Sequence, residues 1–139
     1  MTSASEPVPY PSQPILLNVE PTLFVTDFQR SLDFFTERLG FKVAFTYGNP
    51  PFYGQVARDA ALLNLRFVHD PVIDRSKEED LLSASIWVSH AGQLFREFES
   101  RGAPFHQTLR REAWHGEGQG GFIVRDPDGN LIGFGGRTD

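Results

Sequence analysis

The sequence has no cysteine. That absence removes disulfide staples, thiolate metal sites and cysteine nucleophiles at once. Cations are also scarce, with 13 Lys and Arg against 18 Asp and Glu for a net charge of −5. Nucleic-acid binding needs a basic surface to neutralise phosphates, so no nucleic-acid partner is expected. The charge balance suits a cationic ligand or a solvated acidic surface. The sequence shows no apolar run approaching a membrane span and no leader pattern with an apolar core, so the expectation is a soluble cytoplasmic protein without a membrane partner.

What remains is 139 residues with 40% hydrophobic content, enough for one domain with a real core. Residues 1–16 carry Pro7, Pro9, Pro11 and Pro14 among serines and read as a flexible arm. The domain then spans 17–139, as a first repeat at about 17–69, a charged linker at about 70–82 and a second repeat at about 83–135.

The repeat is visible in two stretches, Pro21 to Phe41 and Ala84 to Phe105. Leu23-Phe24-Val25-Thr26 aligns with Ile86-Trp87-Val88-Ser89, Phe35 with Phe98, Arg38 with Arg101 and, after a one-residue slip, Gly40 with Gly102. Each copy opens as a strand of alternating apolar residues and meets a small polar residue suited to an N-cap, Thr26 or Asp27 in the first and Ser89 in the second. The apolar spacing then becomes helical, with Phe28, Leu32, Phe35 and Leu39 on one stripe and Leu94, Phe95 and Phe98 on the other. A glycine closes each helix, and strand-like runs follow. The chain reads β-α-β-β-β twice, an α+β architecture of curved mixed sheets with helices on the outer face.

Strand parity separates an aliphatic face from a mixed one. Leu23 and Val25 oppose Glu20, Thr22 and Phe24; Leu63, Leu65 and Phe67 oppose Asn64 and Arg66; Ala84, Ile86 and Val88 oppose Ser83, Ser85 and Trp87. The mixed face is too polar for a core and too aromatic for an ordinary solvated surface, as expected for the wall of a ligand cleft.

Two loop signals complete the reading. Gly116 to Gly121 has the letters of a dinucleotide fingerprint, but a strand rather than a helix follows, so it reads as a loop beside Trp114. Asp126-Pro127-Asp128-Gly129-Asn130 is a turn that makes the last two strands a hairpin.

With its paired units, VTDFQRSLDFFTERLGF near the start and FIVRDPDGNLIGF near the end, the chain resembles the vicinal oxygen chelate superfamily of glyoxalases, dioxygenases and bleomycin resistance proteins. The resemblance implies metal ligands in metal-dependent members at the positions of Glu20, Ser83 and Gly133, of which only Glu20 can ligate an ion. It therefore points to the bleomycin-resistance type, with no metal and no cofactor, in which two chains form a homodimer and a small molecule is held in an interface cleft. The matching positions are Phe45 and Phe52 on and after the second strand, Trp114 before the last hairpin and Asp80 ahead of the middle strand. The expected ligand-binding set is Phe24, Phe45, Phe52, Trp87 and Trp114 for stacking, with Asn64, Arg66, Asp80, Ser83 and Ser85 for orientation. The chain departs from the family pattern at Ser85, where drug-binding members can carry tryptophan, and at Arg66, which adds a positive charge. The alternatives are a divergent lyase, isomerase or dioxygenase-like enzyme that uses Glu20 as a base or recruits His115 and Glu117 as ligands of an atypical metal site, and a regulatory or immunity module on the same fold.

Overall fold

The computed structural model describes residues 12–77, 79–111 and 116–139. The first unit comprises β1 (Thr22–Val25), α1 (Phe28–Asp33), β2 (Lys42–Tyr47), β3 (Tyr53–Arg58) and β4 (Ala61–Phe67). The second comprises β5 (Leu82–His90), α2 (Ala91–Ser100), β6 (Phe105–Arg111), β7 (Gln119–Arg125) and β8 (Leu131–Arg137). Each unit is a four-stranded mixed sheet, in the orders β1-β4-β3-β2 and β5-β8-β7-β6. The first strand of each is parallel to the last, as β1 is to β4 and β5 to β8, and the remaining pairs are antiparallel. The two βαβββ units expected from the repeat are therefore present.

Both helices begin and end for local reasons. The Asp27 carboxylate accepts the Arg30 N–H at 3.0 Å and caps α1. The helix then widens without a break into a π-helical stretch, Phe34–Arg38, which the apolar stripe did not reveal. Gly40 (φ 69°) and Gly102 (φ 75°) take the left-handed conformation at the helix ends. Past Gly102, the Ala103 N–H reaches the Phe98 carbonyl at 3.0 Å in a Schellman closure. The corresponding bond after Gly40, from Phe41 N–H to Phe35 O at 2.9 Å, spans one residue more because of the π turn.

At the start of α2 the structure corrects the sequence reading. The N-cap residue is His90 rather than Ser89, and its side chain makes no capping bond. The reason is that β5 continues one residue further, with His90 in register with Arg137.

The helix-facing sides of both sheets share one apolar core with both helices, running from Leu23, Val25 and Phe35 through Leu63 and Leu65 to Phe98, Phe122 and Phe134. Phe122 stacks on Phe134 at 5.2 Å with 16° between planes, and Phe98 meets both rings edge-on. Polar bonds lock the units together around this core. Arg58 grips Glu97 through two bonds of 2.8 and 2.9 Å, and the bond from Arg58 holds the Glu97 carboxyl below the usual carboxylate range.

The expected turn at Asp126–Asn130 is present and does more than reverse the chain. Its Gly129 has φ 88°, and the Gly129 N–H closes on the Asp126 carbonyl at 3.0 Å. Asp128 accepts both the backbone N–H and the hydroxyl of Thr26, at 3.0 and 2.6 Å, and Asn130 donates its amide to the Phe24 carbonyl at 3.2 Å. The second unit's turn thus plugs the exit of the first unit's leading strand.

Candidate functional site

Opposite the helices, each sheet keeps an open face. On the first sheet the register rows are Phe45, Gln55, Asn64 and Thr22, then Tyr47, Tyr53, Arg66 and Phe24. Leu23, Val25, Leu63 and Leu65 point the other way into the core. The parity argument therefore places Phe24, Phe45, Asn64 and Arg66 on one surface, where Phe24 is 36% and Phe45 44% exposed. Phe45 leans on Tyr53 with ring centres 6.1 Å apart. Phe52 lies at the β2–β3 turn, edge-on to Tyr47 at 5.7 Å, and covers Gly48, where a Cβ would come within 2.4 Å of its ring.

An ordered polar group sits among these rings. Gln55 donates its side-chain amide to Asn64 Oδ1 at 2.9 Å and to Glu20 Oε1 at 3.0 Å, and Asn18 donates to the other Glu20 oxygen at 3.2 Å. Gln55 and Tyr53 complete this face. Their position opposite Asn64 and Arg66 follows only once the β3–β4 register is known. Arg66 donates weakly to the Phe67 carbonyl at 3.4 Å and pairs with no carboxylate among the described residues.

On the second sheet the open face is built around glycine. Gly133 lies in register with Ser85 and Gly135 with Trp87, while Gly121 faces Gly135 across β7. With no side chains to fill it, this floor leaves a hollow of about 360 Å³ walled by Leu82, Ser85, Trp87, Gln107, Arg110 and Ile123. The Trp87 indole borders Gly135, where a Cβ would come within 3.2 Å of its ring, and is 66% exposed. Ser83 is half-buried and donates its hydroxyl to Asn130 at 3.3 Å.

Asp80 stands apart from that hollow. It binds His106 Nε2 at 2.7 Å, and His106 Nδ1 contacts Arg125 at 2.6 Å. A guanidinium only donates, so Nδ1 is the acceptor and Nε2 donates to Asp80. This chain belongs to a second cavity of about 630 Å³ formed by the 72–81 segment, Arg125 and Leu131. A third, of about 530 Å³, lies between the units. None of these three joins Phe24, Phe45, Phe52, Asn64 or Arg66 to Ser83, Ser85 or Trp87. Trp114 and His115 lie outside the described residues.

The positions that would ligate a metal do not fit one. Glu20 is engaged with amides on the first sheet, while Ser83 is bonded to Asn130 and Gly133 has no side chain on the second. Among the described residues no three His, Asp or Glu come together as a metal site.

Residues 17–134 match the profile of the Glyoxalase/Bleomycin resistance protein/Dioxygenase superfamily. The chain belongs to this superfamily. No curated protein matches the sequence. Among solved structures of the superfamily's fold, a glyoxalase/bleomycin resistance protein/dioxygenase from Alicyclobacillus acidocaldarius is 22% identical with a TM-score of 0.70, covering 87% of this chain and 91% of its own. TioX from Micromonospora sp. ML1 is 20% identical at 0.69, covering 87% and 98%. The bleomycin-binding protein of the bleomycin-producing Streptomyces verticillus, solved with copper(II)-bleomycin, is 21% identical at 0.67, covering 88% and 97%. These likenesses establish the fold, and no helix among the described residues is long and apolar enough to cross a membrane.

Proposed function

We propose that this superfamily member binds and sequesters a small planar molecule without a metal and without converting it. The observation that carries the reading is the pair of open sheet faces. One presents Phe24, Phe45 and Tyr53 around a fixed Glu20–Gln55–Asn64 group; the other presents Trp87 beside a glycine floor. Rings of this kind stack on a flat ligand, each contact contributing about 0.5–1.5 kcal/mol beyond area burial. Micromolar affinity, about 8 kcal/mol, then requires both faces to take part.

Two-fold pairing of chains supplies that arrangement by placing the first face of one protomer over the second face of its partner. Exposed Phe45, Tyr47 and Phe52 on the first unit and Leu82 and Trp87 on the second give such pairing an apolar driving force. Glu20 and the net charge of −5 favour a cationic ligand. Ser83, Ser85 and Arg66 are the orienting groups at the rim and Trp114 is the closing ring, while Asp80 is engaged with His106 away from these faces.

Tryptophan fluorescence titration with acridine orange and with bleomycin tests the reading, alongside light scattering. Saturable quenching by a dimer supports it. A monomer at micromolar concentration, or no saturation by any planar ligand, contradicts it.

A further inference from the structure

The internal repeat exposes a second site, at the seam between the two units. The register makes Arg58↔Ala61 in the first unit the counterpart of Arg125↔Leu131 in the second. Between these pairs the first unit has only Asp59 and Ala60, whereas the second has the five residues Asp126 to Asn130. The longer turn sends Asp128 and Asn130 across to Thr26 and Phe24 at the exit of β1. The shorter turn cannot reach the equivalent place at the exit of β5.

What it leaves is the cavity of about 530 Å³, bordered by Asp59, Ala60 and Leu63 on one side and Ser85, Ile86, Trp87, Val88 and Ser89 on the other. That volume falls within the range of small-molecule sites, about 300–1,000 Å³. Ser89 is the repeat counterpart of Thr26. Val25 turns its carbonyl to Val68 on the β4 side, which leaves the Thr26 N–H to face Asp128. Val88 holds the corresponding place opposite Gly136, and Ser89 is the extra residue where the β5–β8 register shifts before His90, at the border of the cavity. The Ser89 hydroxyl has no hydrogen-bond partner among the described residues, whereas that of Thr26 donates to Asp128.

We infer that this cavity binds a small apolar molecule ending in an uncharged acceptor, such as an aryl carboxamide, which takes the place that the Asp128 carboxylate fills in the other unit. Charge decides for the neutral group. Asp128 is accompanied by Arg30 at 3.5 Å, but the repeat counterpart of Arg30 is the uncharged Gln93. Asp59 lines the cavity with a negative charge, and Arg58 is already committed to Glu97 and to the Leu39 carbonyl.

Amide-resolved NMR of the full chain with 3-phenylpropanamide and 3-phenylpropanoate tests the assignment. The amide is expected to shift the Ser89 and Ala61 resonances saturably, and the carboxylate to bind at least tenfold more weakly. Replacing Asp59-Ala60 by Asp-Pro-Asp-Gly-Asn, or Ala60→Phe as a milder filling, is expected to abolish the shifts while the thermal midpoint is retained or raised. An unmoved Ser89 resonance at the solubility limit would overturn the inference, as would binding that survives both fillings or a carboxylate that binds as well as the amide. A change of mass in light scattering on filling would assign the cavity to a second copy of the chain and overturn it too. Trp87 borders both places, so the open-face titration is repeated on the filled variants, where its saturation is expected to be unchanged.

Discussion

Arg38 and Arg101 each hold the end of the other's helix. Arg38 donates to the Arg101 carbonyl at 2.7 Å, and Arg101 donates to the Glu37 carbonyl at 3.2 Å. Each guanidinium also lies against the other's closing glycine, with a Cβ on Gly40 falling 3.1 Å from Arg101 and one on Gly102 falling 3.0 Å from Arg38. The two units are thus joined by a reciprocal clasp on the approximate two-fold axis that the repeat implies.

Gly40→Ala and Gly102→Ala are predicted to destabilise the fold by about 1–2 kcal/mol each, because a left-handed φ and a displaced guanidinium act together. Arg38→Ala removes one hydrogen bond at an exposed site and is predicted to cost about 1 kcal/mol or less. Urea unfolding measures both, and an unchanged midpoint for Gly40→Ala would contradict the clasp.

Ser31 is fully buried in α1, and its hydroxyl has no hydrogen-bond partner. Ser31→Ala removes an unsatisfied group and improves helix propensity, so stability is predicted to rise by about 0.5–1.5 kcal/mol. A loss of stability would mean that the hydroxyl has a partner.

Burial pushes the Asp126 carboxyl up to about 6, against the opposing pull of the hydrogen bonds from Asn130. A carboxyl raised in the folded state binds a proton there that the unfolded chain has already released. Its contribution is therefore fully present below about pH 4 and is lost as pH rises through about 6, a change on the order of 2–3 kcal/mol. Glu97, held low by Arg58, acts in the opposite sense and loses its contribution as pH falls. Asp126→Asn is predicted to remove the decline between pH 4 and 6 while leaving the Glu97 limb, a comparison that urea midpoints against pH can make.

Trp87→Ala is predicted to change stability by no more than about 0.5 kcal/mol, as expected for an exposed side chain, and to weaken ligand binding by about 1–3 kcal/mol. Trp114→Ala is predicted to weaken binding by a similar amount. A large loss of stability with unchanged affinity would return these rings to a packing role.

Much of the fold is legible in the sequence because alternation is a local signal with a single structural meaning. Leu23 and Val25 against Phe24, or Leu63 and Leu65 against Asn64 and Arg66, identify a face without knowledge of the partner strand. β6 is less legible because irregularities between Phe105 and Gln107 and between Gln107 and Arg110 break its period. The π-helical stretch is hidden because Phe34 and Phe35 suit either helix. Ser89 misleads as a cap because pairing with β8, a long-range property, carries β5 one residue further. At the candidate site, side-chain direction could be read but company could not. Gln55 enters the Glu20–Asn64 group only through register, and Asp80 is drawn away by His106 and Arg125, which are distant in sequence.

The central claim is that the open faces retain a planar ligand without metal or chemistry. Equilibrium dialysis of chelator-treated protein against acridine orange, ethidium and bleomycin, followed by mass spectrometry of the recovered compounds, tests it most directly. The account predicts saturable micromolar binding of at least one compound in the presence of chelator, weakened about tenfold or more in Trp87→Ala, with the compound recovered intact. Binding that appears only when a divalent metal is restored, or recovery of an altered compound, would contradict it.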